Sequence, residues 1–537
     1  MIELRGNEMK HIKKILILIA VLFVGVYLTS CKTEKKPPVE DDPIVVVPET
    51  PDNPNPETPE EPEPETPVDP EPETPEDPEP ETPDVKDYID IYYINDFHGA
   101  ILRDDNRIGL DYIGNLIDAK RKENKDIILL AGGDMLQGSA LSNYFYGRST
   151  IELMSMMGFD AMVVGNHEFD WGLEKVTQYF DGNESNGEAT FPLLANNIFK
   201  KGTENLPDYI LPYTILDKGG IKVGVIGTIG EGLESSITAS RVRDYVFTDP
   251  IYRVQQSTRY LRDTEKVDFV IVVNHGDNES LDHQLTRLSG SERIDAVLNA
   301  HSHSSYERVV NGKPVMQTYG NGSNVGFMKL YKNGTHEMKK FSRYDALLQT
   351  PNQAMKEKID GYLLEAEDLY KTVIQNDAAI SKNELSVWIS ELIKIKTGSD
   401  IAFHNTGGTR DSLSNYENLS MARLYDIFPF DNEIKTTYLY GYEIKRLISN
   451  DYLVHSTYSV ELDDYTKYKV ATNDYVFDYS GNPFLDGENS VETGLFLREL
   501  MHDELKLQAI IHTYFNVNNT IQTIITSNII KHSHVLI

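Results

Sequence analysis

Ile89-Asp90-Ile91-Tyr92-Tyr93-Ile94-Asn95-Asp96-Phe97-His98-Gly99 is an apolar run of strand length that passes directly into a polar cluster. The same event recurs down the chain. Ile127 to Ala131 leads to Gly132-Gly133-Asp134, and Ala161 to Val164 leads to Gly165-Asn166-His167-Glu168-Phe169-Asp170. Val267 to Val273 leads to Asn274-His275-Gly276-Asp277, and Ile294 to Leu298 is followed by Ala300-His301-Ser302-His303. A further run spans Val223 to Ile226, and helical stretches separate the runs, which makes the pattern α/β. In such sheets ligands bind beyond the carboxyl ends of the strands. Five clusters at five strand exits can therefore meet in space although about two hundred residues separate the first from the last.

Taken singly, a His or Asp after a strand is a turn or cap residue. Jointly the clusters offer two Asp, one Asn and four His, which are oxygen and nitrogen donors with no thiolate. That donor set suits one or two catalytic divalent cations rather than a structural zinc. Glycines beside the donors let the backbone approach closely.

At these residues the chain resembles the calcineurin-like metallophosphoesterases, specifically the 5′-nucleotidase family that includes bacterial UDP-sugar hydrolase and 2′,3′-cyclic-nucleotide phosphodiesterase. The resemblance covers roughly Asp87 to Leu505 and implies a four-layer αββα metallophosphatase domain over residues 87–348, followed by a smaller α/β nucleotidase domain. Carried over by position, it implies that Asp96, His98 and His303 hold one metal and Asn166, His275 and His301 a second, with Asp134 bridging both. Many relatives have glutamine or asparagine where this chain has His303. The cofactors implied are two divalent ions, zinc or manganese; donor type alone leaves that choice open. Two dications less two carboxylates leave about +2, which attracts a phosphate and lowers the pKa of a bound water for in-line attack. His167 and Asp170 would form the catalytic dyad, the imidazole stabilising the transferring phosphoryl group and the carboxylate orienting the imidazole. Glu168 reads as a brace for the loop.

Beyond a helical stretch from Asn352 to Val373, read as a linker helix within residues 349–374, a second domain is expected over residues 375–507. In it, Asn405-Thr406-Gly407-Gly408-Thr409-Arg410 resembles the family's Asn-Gly-Gly-Gly-x-Arg loop with one glycine replaced, which marks Asn405, Gly408 and Arg410 as substrate-binding. Phe428-Pro429-Phe430-Asp431-Asn432 matches the segment whose aromatic stacks on the nucleobase, so Phe430 is one expected ring. Phe484 is the nominee for the second, with Phe477 or Tyr479 as alternatives. An arginine expected near the start of this domain is Lys382 or absent. Residues 508–537 contain no acidic residue and stand apart as an atypical tail with no functional reading.

The other end of the chain is equally distinctive. Arg5, Lys10, Lys13 and Lys14 precede an apolar run from Ile15 to Leu28, too short to span a bilayer, and Leu28-Thr29-Ser30-Cys31 looks like a bacterial lipobox. Residues 1–31 therefore read as a lipoprotein signal, with Cys31, the single cysteine, as the lipidation site. Residues 32–86 form a Pro/Glu-rich stalk built on an eight-residue repeat beginning PETPEEPE at Pro56. Its prolines fix φ while its carboxylates repel, so it should be extended and unable to bury a core.

Overall the 537 residues carry 84 Asp and Glu against 51 Lys and Arg, a formal charge of −33, of which the stretch from Pro37 to Asp84 supplies 18. A single cysteine excludes a disulfide scaffold, and the charge argues against binding to a nucleic-acid duplex. The expectation is an exported, surface-exposed phosphohydrolase, tied to the bacterial membrane by a lipid anchor, acting on nucleotides; no protein partner can be inferred. Its rivals are a cyclic-nucleotide phosphodiesterase or nucleotide-sugar pyrophosphatase on the same site and, from another class, a surface adhesin or binding lipoprotein.

Overall fold

The computed structural model describes residues 86–520. The signal, Cys31, the stalk up to residue 85 and the tail from residue 521 onward lie outside the described residues.

Two sheets face each other in the first domain. One has seven strands in the spatial order His336–Ser342, Asn324–Tyr331, Tyr88–Ile94, Ile128–Ala131, Ala161–Val163, Leu193–Leu194 and Ile210–Leu211. The other has six, in the order Tyr306–Val310, Lys313–Gln317, Ala296–Asn299, Phe269–His275, Ile221–Ile229 and Tyr213–Lys218. The strands that carry the polar exits run parallel to one another within each sheet, with Ile91 opposite Ile128, Leu130 opposite Ala161 and Ile271 opposite Ala296, and Phe269 also pairs in parallel with Val223.

Side-chain alternation explains the layering. Ile89, Ile91 and Tyr93 point inward and join Val223, Val225, Ile271 and Val273 in a core between the sheets. Tyr92 and Ile94 point the other way, into a core shared with Ile113, Leu116 and Ile117 of the helix Leu110–Glu123. On the outer face of the second sheet, Ile226, Val270 and Val272 pack with Val254 and Leu261 of the helix Pro250–Asp263. Strands buried on both faces read as unbroken apolar runs, which is the pattern seen in the sequence. The result is the expected αββα stack.

The helix after the first domain spans Gln353–Glu365, shorter than the 352–373 stretch expected, and a 3-10 turn follows at Glu367–Tyr370. Asn352 caps it by accepting from the Met355 amide at 3.0 Å. Met355, Ile359 and Tyr362 sink into the first domain's core, so the helix packs on that domain.

The second domain centres on a five-stranded sheet in the order Leu453–His455, Ile401–Asn405, Lys467–Asn473, Glu433–Tyr440 and Glu488–Phe496. Its main helix, Lys382–Thr397, begins in a capping box: Ser381 Oγ accepts from the Glu384 amide at 3.3 Å while Glu384 returns a carboxylate to the Ser381 amide at 2.8 Å. The boundary expected after residue 507 is displaced. The last helix runs from Leu497 to Ile511 with Gln508 buried inside it, and Tyr514–Phe515 then pairs in parallel with Gln375 and Asn376. Phe515 lies 5.2 Å from Trp388, whose Nε1 donates to Thr520 Oγ1 at 2.8 Å. Residues 508–520 therefore pack onto the domain through the buried Gln508, Phe515 and Thr520, which find partners that composition alone does not reveal.

Candidate functional site

The exits converge as the strand pattern requires. Asp96, His98 and His303 bring donor atoms within 4.8 Å of one another, and so do Asp134, His275 and His301. Asn166 joins the second group: its Oδ1 lies 3.1 Å from His275 Nε2 and 2.9 Å from His301 Nδ1. His275 Nε2 is in turn 3.3 Å from Asp134 Oδ2. In the first group His98 Nε2 stands 3.0 Å from His303 Nε2, which is 3.7 Å from Asp96 Oδ1.

The backbone is bent hard to achieve this. Asp96, His98, Asp134, His301 and His303 all have φ between 49° and 76°, the left-handed region that non-glycine residues avoid. They are five of the twelve such non-glycine residues among those described, so the strain is concentrated here. Each left-handed residue costs about 1–3 kcal/mol and persists only when its surroundings over-determine it. Those surroundings are visible. The buried Glu168 carboxylate accepts from the amides of Asp134, Met135 and Gly165 at 2.8, 2.9 and 2.7 Å, which makes it the loop brace read from sequence. Burial and the nearby Asp134 push its pKa up to about 7. The glycines matter where space is gone: a Cβ on Gly165 would stand 2.2 Å from Asp134 Oδ1.

Do these residues fit metal ions? The second nitrogen of His98 is held by the Gln137 carbonyl at 2.9 Å and that of His275 by the Gly132 carbonyl at 2.9 Å. Such bonds leave each Nε2 lone pair directed at its group, the usual outer arrangement of metal-binding histidines. Burial holds His98 well below its ordinary pKa and lowers His301 and His303 to about 4, so these three are neutral donors. Burial opposes charge on Asp134, yet the imidazoles of His275 and His167 prevail and keep its carboxylate ionised. The positive charge beside it rests on His275, whose pKa burial lowers but Asp134 raises to about 9, and a divalent cation can take that proton's place. The donor set fits two ions.

Beside this centre, His167 Nδ1 is 2.8 Å from Asp170 Oδ2, and its Nε2 is 4.0 Å from Asp134 Oδ2. Burial works against an imidazolium, but Asp170 and Asp134 outweigh it and raise the His167 pKa. Phe430 of the second domain lies against the same imidazole, with centroids 5.8 Å apart and planes at 29°. The Pro429 carbonyl that precedes it accepts from two buried amides of the first domain, Gln137 and Asn143, each at 2.8 Å. Arg107 pairs with Asp426 across the same junction at 3.0 Å.

A cavity of about 230 Å³ opens here, walled by Asp134, Asn166, His167, Asp170, His301 and His303 on one side and by Asn405, Arg410, Phe430 and Tyr475 on the other. A second, of about 490 Å³, adjoins it through His167, His303, Arg410 and Phe430 and takes in Lys382. The Arg410 guanidinium sits 5.2 Å from the Phe430 ring centroid and is exposed to the cleft.

Two expected residues lie elsewhere. Phe484 is fully buried, with its ring 5.9 Å from Phe403 and 5.6 Å from Phe477, so it is core and not a cleft ring. Neither alternative, Phe477 or Tyr479, lines the cavities; Tyr475 does. Gly408 faces His404, whose Cε1 a Cβ there would approach to 2.9 Å, and it is Gly407 that borders the cleft. Tyr475 carried a usable signal, since it follows the strand Lys467–Asn473 just as the metal-site residues follow theirs. Arg241, Ser236 and Thr238 on the first-domain wall carried none. Phe484→Ala is expected to lower stability by about 3–5 kcal/mol, the range for emptying an aromatic site in a core. Chemical denaturation would measure this, and an unchanged midpoint would place the ring outside the core.

The calcineurin-like phosphoesterase family model matches residues 89–305, and the 5′-nucleotidase C-terminal domain model matches residues 364–461. The chain thus carries a calcineurin-like phosphoesterase domain followed by a 5′-nucleotidase C-terminal domain. It is 25% identical over 455 residues to the cell wall protein Lmo0130 of Listeria monocytogenes, a match covering 70% of this chain and 57% of that protein. It is 31% identical over 228 residues to the protein UshA of Yersinia enterocolitica, covering 40% of each. The chain thus spans only part of the length of these relatives. In fold it is similar to a 5′-nucleotidase precursor from Thermus thermophilus, with a TM-score of 0.65 and 20% identity over 78% of this chain and 96% of that one. Among the described residues, no helix is long and apolar enough to cross a membrane.

Proposed function

We propose that this protein is a metal-dependent hydrolase of phosphoric esters that removes the 5′-phosphate from nucleotides. The observation that carries the reading is the cleft itself, where two metal-fitting groups, the His167–Asp170 pair and the second domain's Phe430, Tyr475, Asn405 and Arg410 open onto one space. Zinc or manganese ions held there would neutralise phosphate charge and make a water more acidic. Asp96, His98 and His303 would hold one ion and Asn166, His275 and His301 the other, with Asp134 shared.

The chain's own groups do the rest. Asp170 fixes the His167 imidazole through Nδ1, which directs Nε2 toward Asp134 and the ligand groups. A proton on that Nε2 stabilises the transferring phosphoryl group and can pass to the leaving oxygen as the P–O bond breaks. Arg410 and Asn405 receive phosphate or sugar oxygens, and Lys382 adds a positive charge at the neighbouring cavity. On this reading residues 87–348 carry the chemistry, and the second domain, from residue 375 to at least residue 520, carries recognition.

The test is phosphate release from AMP, UDP-glucose, a 2′,3′-cyclic nucleotide and bis(p-nitrophenyl) phosphate, with and without chelator. AMP should be the best substrate and chelator should abolish turnover; the cyclic nucleotide or UDP-glucose leading would select a rival ester, and no turnover on any would favour a binding protein. Base recognition should be separable from chemistry. Stacking contributes about 1–3 kcal/mol per base, so Phe430→Ala should raise KM for AMP by roughly tenfold or more and affect p-nitrophenyl phosphate far less. Equal losses on both substrates would make Phe430 a packing residue.

We also propose export and acyl anchoring through Cys31, with the Pro/Glu stalk holding the enzyme away from the membrane. The basic and apolar segments before Cys31 support this, and one relative is named a cell wall protein. Cys31→Ser should move the enzyme from the membrane fraction to the soluble one; a processed variant still in the membrane would require another anchor.

A further inference from the structure

We propose that Asp277 and Ser302 are positioning residues of the metal centre, together holding the His301-Ser302-His303 turn so that one imidazole enters each ligand group. This rests on the reading of those groups as metal sites. Ser302 stands between two histidines with φ of 76° and 53°. Two left-handed non-glycine residues flanking a single residue make an unfavourable tripeptide that something must hold.

The hold comes from residues that line neither cavity. Ser302 Oγ donates to Asp277 Oδ2 at 2.5 Å and lies 3.1 Å from the Gln317 side-chain amide. Asp277 Oδ1 accepts from Tyr306 OH at 3.0 Å, and the Arg308 guanidinium, 3.7 Å from that same oxygen, lies over the Tyr306 ring. Behind Tyr306 the network becomes fully buried. Asn299 Nδ2 donates to Tyr306 OH at 3.1 Å and to Asp282 Oδ1 at 2.8 Å, while Asn299 Oδ1 accepts from Asn274 at 3.3 Å. Asn274 immediately precedes His275. One connected set of hydrogen bonds therefore braces His275, His301 and His303, three of the seven residues read as donors to the two sites. Hydrogen-bonded partners behind metal ligands typically set affinity by 10–100-fold.

Asp277 and Ser302 are themselves exposed, so replacing them opens no core cavity. The experiment titrates Mn²⁺ into chelator-treated protein by calorimetry for wild type, Ser302→Ala, Asp277→Asn and Ser302→Thr, with thermal unfolding of each in chelator. Ser302→Ala and Asp277→Asn should weaken both sites together by about 10–100-fold. Ser302→Thr, which keeps the hydroxyl, should restore wild-type affinity, and metal-free melting should stay the same. Wild-type affinity in Ser302→Ala, weakening confined to one site, or affinity that falls only in step with metal-free stability would overturn the proposal. A wild-type protein that takes up no Mn²⁺ would overturn the metal-site reading first and this inference with it.

Discussion

Asp134→Asn is expected to remove both divalent ions and, with them, turnover by about 10³-fold or more, since an ion contributes several kcal/mol and each 1.4 kcal/mol is a factor of ten. The reason is position. Asp134 Oδ2 lies 3.3 Å from His275 Nε2 in one ligand group, and the Asp134 carbonyl accepts from the His98 amide of the other at 2.9 Å. Its carboxylate is also the buried negative charge that positive ions would balance, and the amide replacement keeps shape while deleting that charge. His98→Ala or His301→Ala touches a single group and should cost one ion. Metal content by mass spectrometry, read beside the rate on AMP, makes the comparison. An Asp134→Asn protein with two ions and normal turnover would end the dinuclear reading.

His167→Ala should separate chemistry from metal binding. His167 offers no donor to either group, yet it sits 2.8 Å from Asp170 and under the Phe430 ring at the mouth of both cavities. Two bound ions should remain, while kcat on AMP falls by about 10²–10⁴-fold, the usual worth of a positioned proton donor. If part of that is a proton given to the leaving oxygen, p-nitrophenyl phosphate, whose phenolate departs without one, should lose less than AMP. Loss of metal in the variant would instead make His167 a support for the centre. Equal losses on the two esters would confine it to stabilising the phosphoryl group.

How much of this was legible beforehand depends on distance along the chain. Each candidate metal-site residue lies within a few positions of the end of an apolar run, so strand periodicity places it at an exit and the α/β rule gathers the exits at one rim. His303, Asn166, His167 and Asp170 stand at such exits, while their reading as ligands and as a dyad came from the family resemblance, and Glu168 as a brace followed from its place in the same loop. The second domain was harder to read. Its Asn405–Arg410 loop and Phe430 were found by motif, but whether an aromatic lines a cleft or fills a core depends on which way a short turn aims it. Phe484 sits in the 3-10 turn Pro483–Asp486, which sends its ring between Phe403 and Phe477, whereas Tyr475 opens the short helix Asp474–Phe477 at the cleft.

The sequence by itself determined the α/β class and which residues stand at the strand exits as candidate ion ligands, because those follow from local periodicity and from donor chemistry, while the two-domain order came from the resemblance of the Asn405–Arg410 loop and the Phe430 segment to a known family. Only the tertiary structure decided three further points: that Tyr475 rather than Phe484 faces the cleft, that residues 508–520 complete the second domain, and that Ser302 is tied to Asp277. Each depends on contacts between residues far apart in sequence, such as Phe515 with Trp388 and Ser302 with Asp277, whose pairing is set by how whole elements pack and leaves no periodic trace in the chain.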